Sequence, residues 1–310
     1  MHADRLWLTD AGLETDLIFH GGFDLPLFAS FHLLESAAGR DALSAYFQRF
    51  IDMARAGRTG LVLDTATWRS GAHWGAQLGR SPAAMDQVSR DAVAYARGVR
   101  DRHETGQTPI LVNGVIGPAG DGYAPEALLT PDEAQRLHER QAQVLADAGA
   151  DMISAVTITH TGEGIGITRA AAATGLPVVV SYTVETDGHL PTGQTLGEAI
   201  RETDAATGGA PAYYMINCAH PDHFADRIAG DWVSRIGGIR ANASRLSHAE
   251  LDASEVLDEG NPEEFGYLYG ALAALLPNLR VIGGCCGTDH RHVGCAARHL
   301  LPNTPNTNAA

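Results

Sequence analysis

The sequence predicts a single-domain α/β protein, a (β/α)₈ TIM barrel, and three observations carry that reading. Short β-rich runs recur from one end of the chain to the other at intervals of roughly 35 residues. Segments with helical spacing separate them and carry entry and exit signals. No break in composition marks a domain boundary across the 310 residues. An open doubly wound sheet is the rival architecture, but no Gly-x-Gly-x-x-Gly follows the first strand. The turn there reads Asp10-Ala11-Gly12-Leu13-Glu14-Thr15 and offers no dinucleotide fingerprint.

The predicted strands cover 6–11, 61–66, 110–115, 152–157, 178–183, 213–218, 236–240 and 280–284. Each is a run of apolar and β-branched residues bounded by turn residues. Helical spacing is read over 42–56, 84–103, 131–148 and 262–276. Thr130-Pro131-Asp132-Glu133 opens the third of these, with Thr130 as N-cap, Pro131 in the first helical position and acids in the first turn. Gly57, Gly149 and Gly175 each follow an alanine-rich helical segment, where a left-handed cap is needed. The barrel is assigned to 1–301. The tail 302–310, rich in Asn, Thr and Pro, is expected to fray or to lie against a neighbour.

Composition narrows the function. With 45% hydrophobic residues the chain can fill a large core. A net charge of −15 argues against a general nucleic-acid or anionic-membrane surface, because both select basic patches. No stretch approaches the roughly 20 apolar residues that span a bilayer, and the first residues lack the apolar core of a signal peptide. The expectation is a soluble, cytoplasmic protein, with homo-oligomerisation left open. Four cysteines make no disulfide framework, and a reducing compartment would keep them as thiols or metal ligands.

Three of those cysteines stand where chemistry is expected. Cys218 ends the sixth strand run, and Cys285 and Cys286 end the eighth within Gly283-Gly284-Cys285-Cys286-Gly287-Thr288. In a barrel both strands finish at the catalytic face, so residues far apart in sequence converge on one mouth. Successive side chains of a strand point to opposite faces, so both adjacent cysteines reach one ion only if the backbone leaves strand geometry, which the flanking glycines permit. Three thiolates with an open fourth position describe a catalytic Zn²⁺ site. The competing reading of the adjacent pair, a vicinal disulfide switch, suffers from poor geometry. Cys295, in the last helical segment, reads as a small apolar core residue.

With these residues in place, the chain resembles the homocysteine S-methyltransferase family, which also includes betaine-homocysteine methyltransferase and the homocysteine domain of methionine synthase. Asn217-Cys218 and the Gly-Gly-Cys-Cys-Gly-Thr segment are similar to the family's zinc motifs. Thr9 to Thr15, Leu63 to Thr67, Gly117 to Asp121 and Ala241-Asn242-Ala243 are similar to its other strand-end segments. The resemblance implies a zinc-dependent enzyme without a tightly held organic cofactor. A methyl group would pass from S-methylmethionine, S-adenosylmethionine or a betaine to the zinc-bound thiolate of homocysteine or a related thiol. It assigns zinc to Cys218, Cys285 and Cys286 and acceptor binding to Asp10, with Thr65, Thr183, Asn217 and Asn242 at substrate-binding positions. Both partners are small molecules. Trp68 and Trp74 either cover the pocket and face a cationic donor or are ordinary packing. His220, His290 and His292, beside the zinc motifs, are read as solvated or structural.

One position departs from the family. The strand-four glutamate that would bind the amino group of homocysteine is replaced by Val156, and a buried ammonium without a carboxylate is poorly held. Glu163, Glu185 and Asp64 are the candidate substitutes, or else the acceptor is another thiol. Other classes compatible with the cysteines are a zinc-water lyase or hydrolase, a non-catalytic thiol- or metal-binding protein, and a barrel served by a separate corrinoid protein.

Overall fold

Eight strands close into one parallel ring in the computed structural model, which describes residues 5–123, 125 and 128–301. They are β1 (Trp7–Leu8), β2 (Gly60–Asp64), β3 (Ile110–Ile116), β4 (Met152–Ile158), β5 (Val178–Thr183), β6 (Pro211–Asn217), β7 (Ile236–Ala241) and β8 (Val281–Gly284). Each pairs with the next, and β8 closes on β1 through Trp7↔Val281 and Leu8↔Ile282. The tail 302–310 lies outside the described residues.

All eight predicted strands exist, but β1 is much shorter than 6–11. After Leu8 the backbone bends over the ring, and its polar groups bond the β8 loop instead of a ladder. Gly284 N–H donates to the Asp10 carbonyl at 3.0 Å, and Gly12 N–H donates to the Thr288 carbonyl at 3.2 Å. This bend carries residues 10–14 into the mouth of the barrel.

The long helices are α1 (Ala37–Gly57), α2 (Pro82–His103), α3 (Pro131–Asp147), α4 (Thr161–Ala172), α5 (Leu196–Thr207), α6 (Pro262–Leu275) and α7 (His290–Leu300). The crossing from β6 to β7 has only the short helix Pro221–Phe224 and two 3₁₀ turns, so that unit is abbreviated. Thr130 caps α3 in a full capping box with Glu133. Gly149 and Gly175 take the left-handed conformation (φ +95° and +81°). Gly57 does not. It remains the last helical residue, and Arg58 (φ 52°) forms the left-handed cap, its N–H bonding the Ala54 and Arg55 carbonyls.

Strand alternation sorts the core into two bodies. Leu8, Leu61, Leu63, Ile153, Val180, Ile216, Ile239 and Ile282 face the helices. Trp7, Val62, Met152, Val179, Met215 and Val281 plug the barrel interior. At roughly 1.5–3 kcal/mol for each large apolar side chain withdrawn from water, this plug fixes the ring from below. Above it lies a polar layer. Asn113 donates to Asp64 at 2.7 Å, Ser154 to Asn113 at 2.9 Å, and Ser181 to Asn217 at 2.6 Å. The site stands on this layer. Among the described residues no helix is long and apolar enough to cross a membrane.

Candidate functional site

Cys218 follows the last residue of β6 and is one of few non-glycine residues with a left-handed backbone (φ 53°), a conformation that costs roughly 1–2 kcal/mol. Its surroundings hold it there. Cys218 N–H donates to the Arg240 carbonyl at 3.1 Å. The Cys218 carbonyl accepts from Asn242 Nδ2 at 3.0 Å and lies 2.6 Å from His248 Nε2. On β8, Gly283 and Gly284 allow a close approach that no other residue would. A Cβ would fall 1.8 Å from Thr9 Oγ1 at the first and 2.0 Å from Thr288 Oγ1 at the second. Gly287 then turns the chain with φ +75°. The backbone thus leaves strand geometry around the adjacent cysteines.

The three sulfurs of Cys218, Cys285 and Cys286 lie within 4.8 Å of one another, and no other His, Cys, Asp or Glu among the described residues joins them. Cys218 and Cys285 are joined in a disulfide with Cα atoms 5.4 Å apart, within the usual range for a bridge. The expected three-thiolate site uses these same residues and requires the bridge to be reduced. The bridge joins the two strand ends and does not form within the vicinal pair. Cys286 is free, and its sulfur lies 3.1 Å from the Tyr123 hydroxyl. Burial pushes the Cys286 thiol up, while the Tyr123 hydrogen bond opposes that rise. Zinc–thiolate bonds of about 2.3 Å around a tetrahedron separate sulfurs by roughly 3.8 Å, so the same three residues, once reduced, fit one zinc ion.

A cavity of about 210 Å³ opens beside the sulfurs. Its floor is an ionic triad absent from the sequence expectations. Arg240, buried in β7, donates from one nitrogen to Asp10 and from the other to Asp64, with Nε on the Gly284 carbonyl at 3.2 Å. Burial pushes the Asp10 carboxyl up to about 7; Asp64 and Glu14 add to the rise and Arg240 opposes it. The Arg240 guanidinium is held firmly protonated by the two carboxylates, against its own burial. An arginine closing an apolar strand run was the signal that could have revealed this group.

The predicted substrate residues divide. Asp10 and Thr65 line the cavity. The Asp10 carboxylate is engaged by Arg240, and the Thr65 hydroxyl lies 2.7 Å from Thr67 Oγ1 and 3.0 Å from the Asn113 carbonyl. Thr183, Asn217 and Asn242 are buried behind the wall. Asn217 donates to Thr157 Oγ1 at 2.8 Å and contacts Cys218 Sγ at 3.3 Å, so it braces the end of β6 beside that sulfur. Asn242 holds the Cys218 carbonyl, and the Thr183 hydroxyl has no partner among the described residues.

Trp68 lines the cavity. Trp74 does not, since its indole N–H bonds the Pro118 carbonyl at 3.0 Å. His220 caps the short helix after β6, and His292 is buried against Asp289 and the Glu259 carbonyl. Neither His220, His292 nor His290 joins the sulfur cluster. Cys295 is buried in α7. Behind Cys286, the Tyr123 ring stacks on His248 at 4.0 Å, and His248 Nδ1 lies 2.9 Å from Glu185.

Val156 lines the cavity wall, as its alignment implied. Of the proposed substitutes for the missing glutamate, Glu163 is engaged by His138 at 2.8 Å and the Ala119 N–H at 2.7 Å, outside the cavity. Glu185 is committed to His248. Asp64 faces the cavity but is paired with Arg240. A carboxylate passed over in the sequence, Glu14, does line it.

Comparison with known proteins gives a consistent picture. The model of the homocysteine S-methyltransferase family matches residues 7–300. The homocysteine methyltransferase MmuM from Escherichia coli in its oxidized form superposes with a TM-score of 0.71 at 19% identity, covering 96% of each chain. Its metallated form gives 0.70 at 19% identity, again over 96% of each chain. At this identity the two structures show a shared fold.

Proposed function

Because the chain belongs to the homocysteine S-methyltransferase family, we propose that its methyl transfer runs from a small onium donor to the thiol of homocysteine or a related amino-acid thiol, and that it depends on zinc held by Cys218, Cys285 and Cys286. The observation that carries this reading is the meeting of three sulfurs within 4.8 Å at the edge of a cavity. Soft thiolates select zinc over hard cations. When bound, zinc would supply an open position at which an acceptor thiol loses its proton near neutral pH.

The chain's own residues would do the rest. The left-handed turn at Cys218 and the glycine-permitted turn around Cys285 and Cys286 aim the sulfurs at one point. The Arg240 triad gives the floor two carboxylates fixed around one guanidinium. Trp68, Tyr123 and the acids Asp121 and Asp252 line the cavity and suit a cationic methyl donor. S-methylmethionine, S-adenosylmethionine and a betaine are the donor classes to test. The E. coli relative exists in oxidized and metallated forms. We assign the same pair of states here: the Cys218–Cys285 disulfide, and a reduced form that holds metal.

The test is a transfer assay on reduced, zinc-loaded protein with homocysteine and each donor, reading methionine. Cys285→Ser is expected to lose both the metal and the transfer. Full activity in metal-free protein would refute the zinc assignment.

A further inference from the structure

We infer that Glu14 is the residue that holds the ammonium group of the acceptor, a role moved from strand four to the turn after β1. The inference rests on the proposed transfer to an amino-acid thiol. Val156 presents only methyl groups at its place on the cavity wall, and an ammonium brought out of water needs a carboxylate close by. The site must supply one from elsewhere or take a different acceptor.

Glu14 meets the requirement. It lies in the helical turn Leu13–Thr15, half-buried, on the lining of the same cavity as Cys285 and Cys286. A molecule carrying both a thiol and an ammonium group would meet the sulfurs and Glu14 on one lining. Glu14 is also uncommitted in charge. Its carboxyl takes a hydrogen bond from Ser30, yet among the described residues no Arg or His forms an ion pair with it. Arg240 is occupied by Asp10 and Asp64. Arg69 donates to the Leu27 carbonyl and lies over the Trp68 and Trp74 rings. Burial raises the Glu14 carboxyl from its ordinary value, and the charges of Arg240 and Arg69 oppose that rise without forming an ion pair with it.

Calorimetric titration of reduced, zinc-loaded protein with homocysteine and with 4-mercaptobutyrate, the same thiol without its amino group, separates the possibilities. Wild type should prefer homocysteine. Glu14→Gln should weaken homocysteine by about 10- to 100-fold, the worth of a charge-assisted contact, and leave 4-mercaptobutyrate within about threefold. Glu14→Asp, with the carboxylate retained but withdrawn, should fall between. Unchanged 4-mercaptobutyrate affinity also shows that the variant is folded and metallated. Equal losses for both thiols, no loss for either, or a wild type that does not distinguish them would overturn the assignment. If homocysteine binds with this discrimination but no donor yields methionine, the transfer reading fails and the role of Glu14 stands.

Discussion

Replacing Arg240 by Met removes the one cation between two buried carboxylates while keeping most of the side-chain volume. Burial already pushes Asp10 up to about 7 with the guanidinium beside it, so without Arg240 the folded protein must protonate the pair or bury uncompensated charge. A carboxyl that keeps its proton only in the folded state costs about 1.4 kcal/mol for each pH unit above the ordinary aspartate value near 4. That is about 2 kcal/mol at pH 5.5 and about 5.5 kcal/mol at pH 8. Wild type already bears most of this cost at Asp10, so the new cost falls mainly on the second carboxyl. Arg240→Met is therefore expected to lose about 2 kcal/mol at pH 5.5 and about 5 kcal/mol at pH 8, the upper value matching a broken buried ion pair. The sign follows from linkage: a carboxyl whose folded value is raised favours the folded state at low pH, and that advantage disappears as pH rises. Denaturant unfolding of reduced, metal-free protein at the two pH values measures both losses. Equal losses at pH 5.5 and 8 would refute the electrostatic account and leave only packing.

Asp10→Asn tests the same triad from the other side. The raised Asp10 value makes wild type lose stability as pH rises from about 4 through about 7; the variant, with Arg240 still paired to Asp64, should show a flatter profile in unfolding scans across that window. Gly283→Ala places a Cβ 1.8 Å from Thr9 Oγ1 and 2.6 Å from the Asp10 carbonyl. It should cost about 1–3 kcal/mol by overpacking and lower zinc stoichiometry, read by thermal unfolding and metal analysis. Gly106→Ala, with open space around it, is the neutral control.

Much of this protein was legible in its sequence, because the signals involved are local. Alternating apolar runs and capped helical segments specify βα units wherever they occur, and eight of them close a ring. Cys218, Cys285 and Cys286 are residues that could hold a metal ion, and their positions at strand ends bring them to one face. Tertiary structure alone decided which polar side chains share the cavity. Arg240 meets an aspartate 176 positions away and another 230 positions away, contacts that no local pattern encodes. Thr183, Asn217 and Asn242 follow the strand-end pattern yet lie behind the wall, because a side chain's face depends on register and a one-residue shift reverses it. Glu14 faces the cavity because β1 stops after Leu8 and its continuation bonds the β8 loop. The residue types point to a cluster of three sulfurs; the register of the ring and the bend after β1 determine which carboxylates share its cavity.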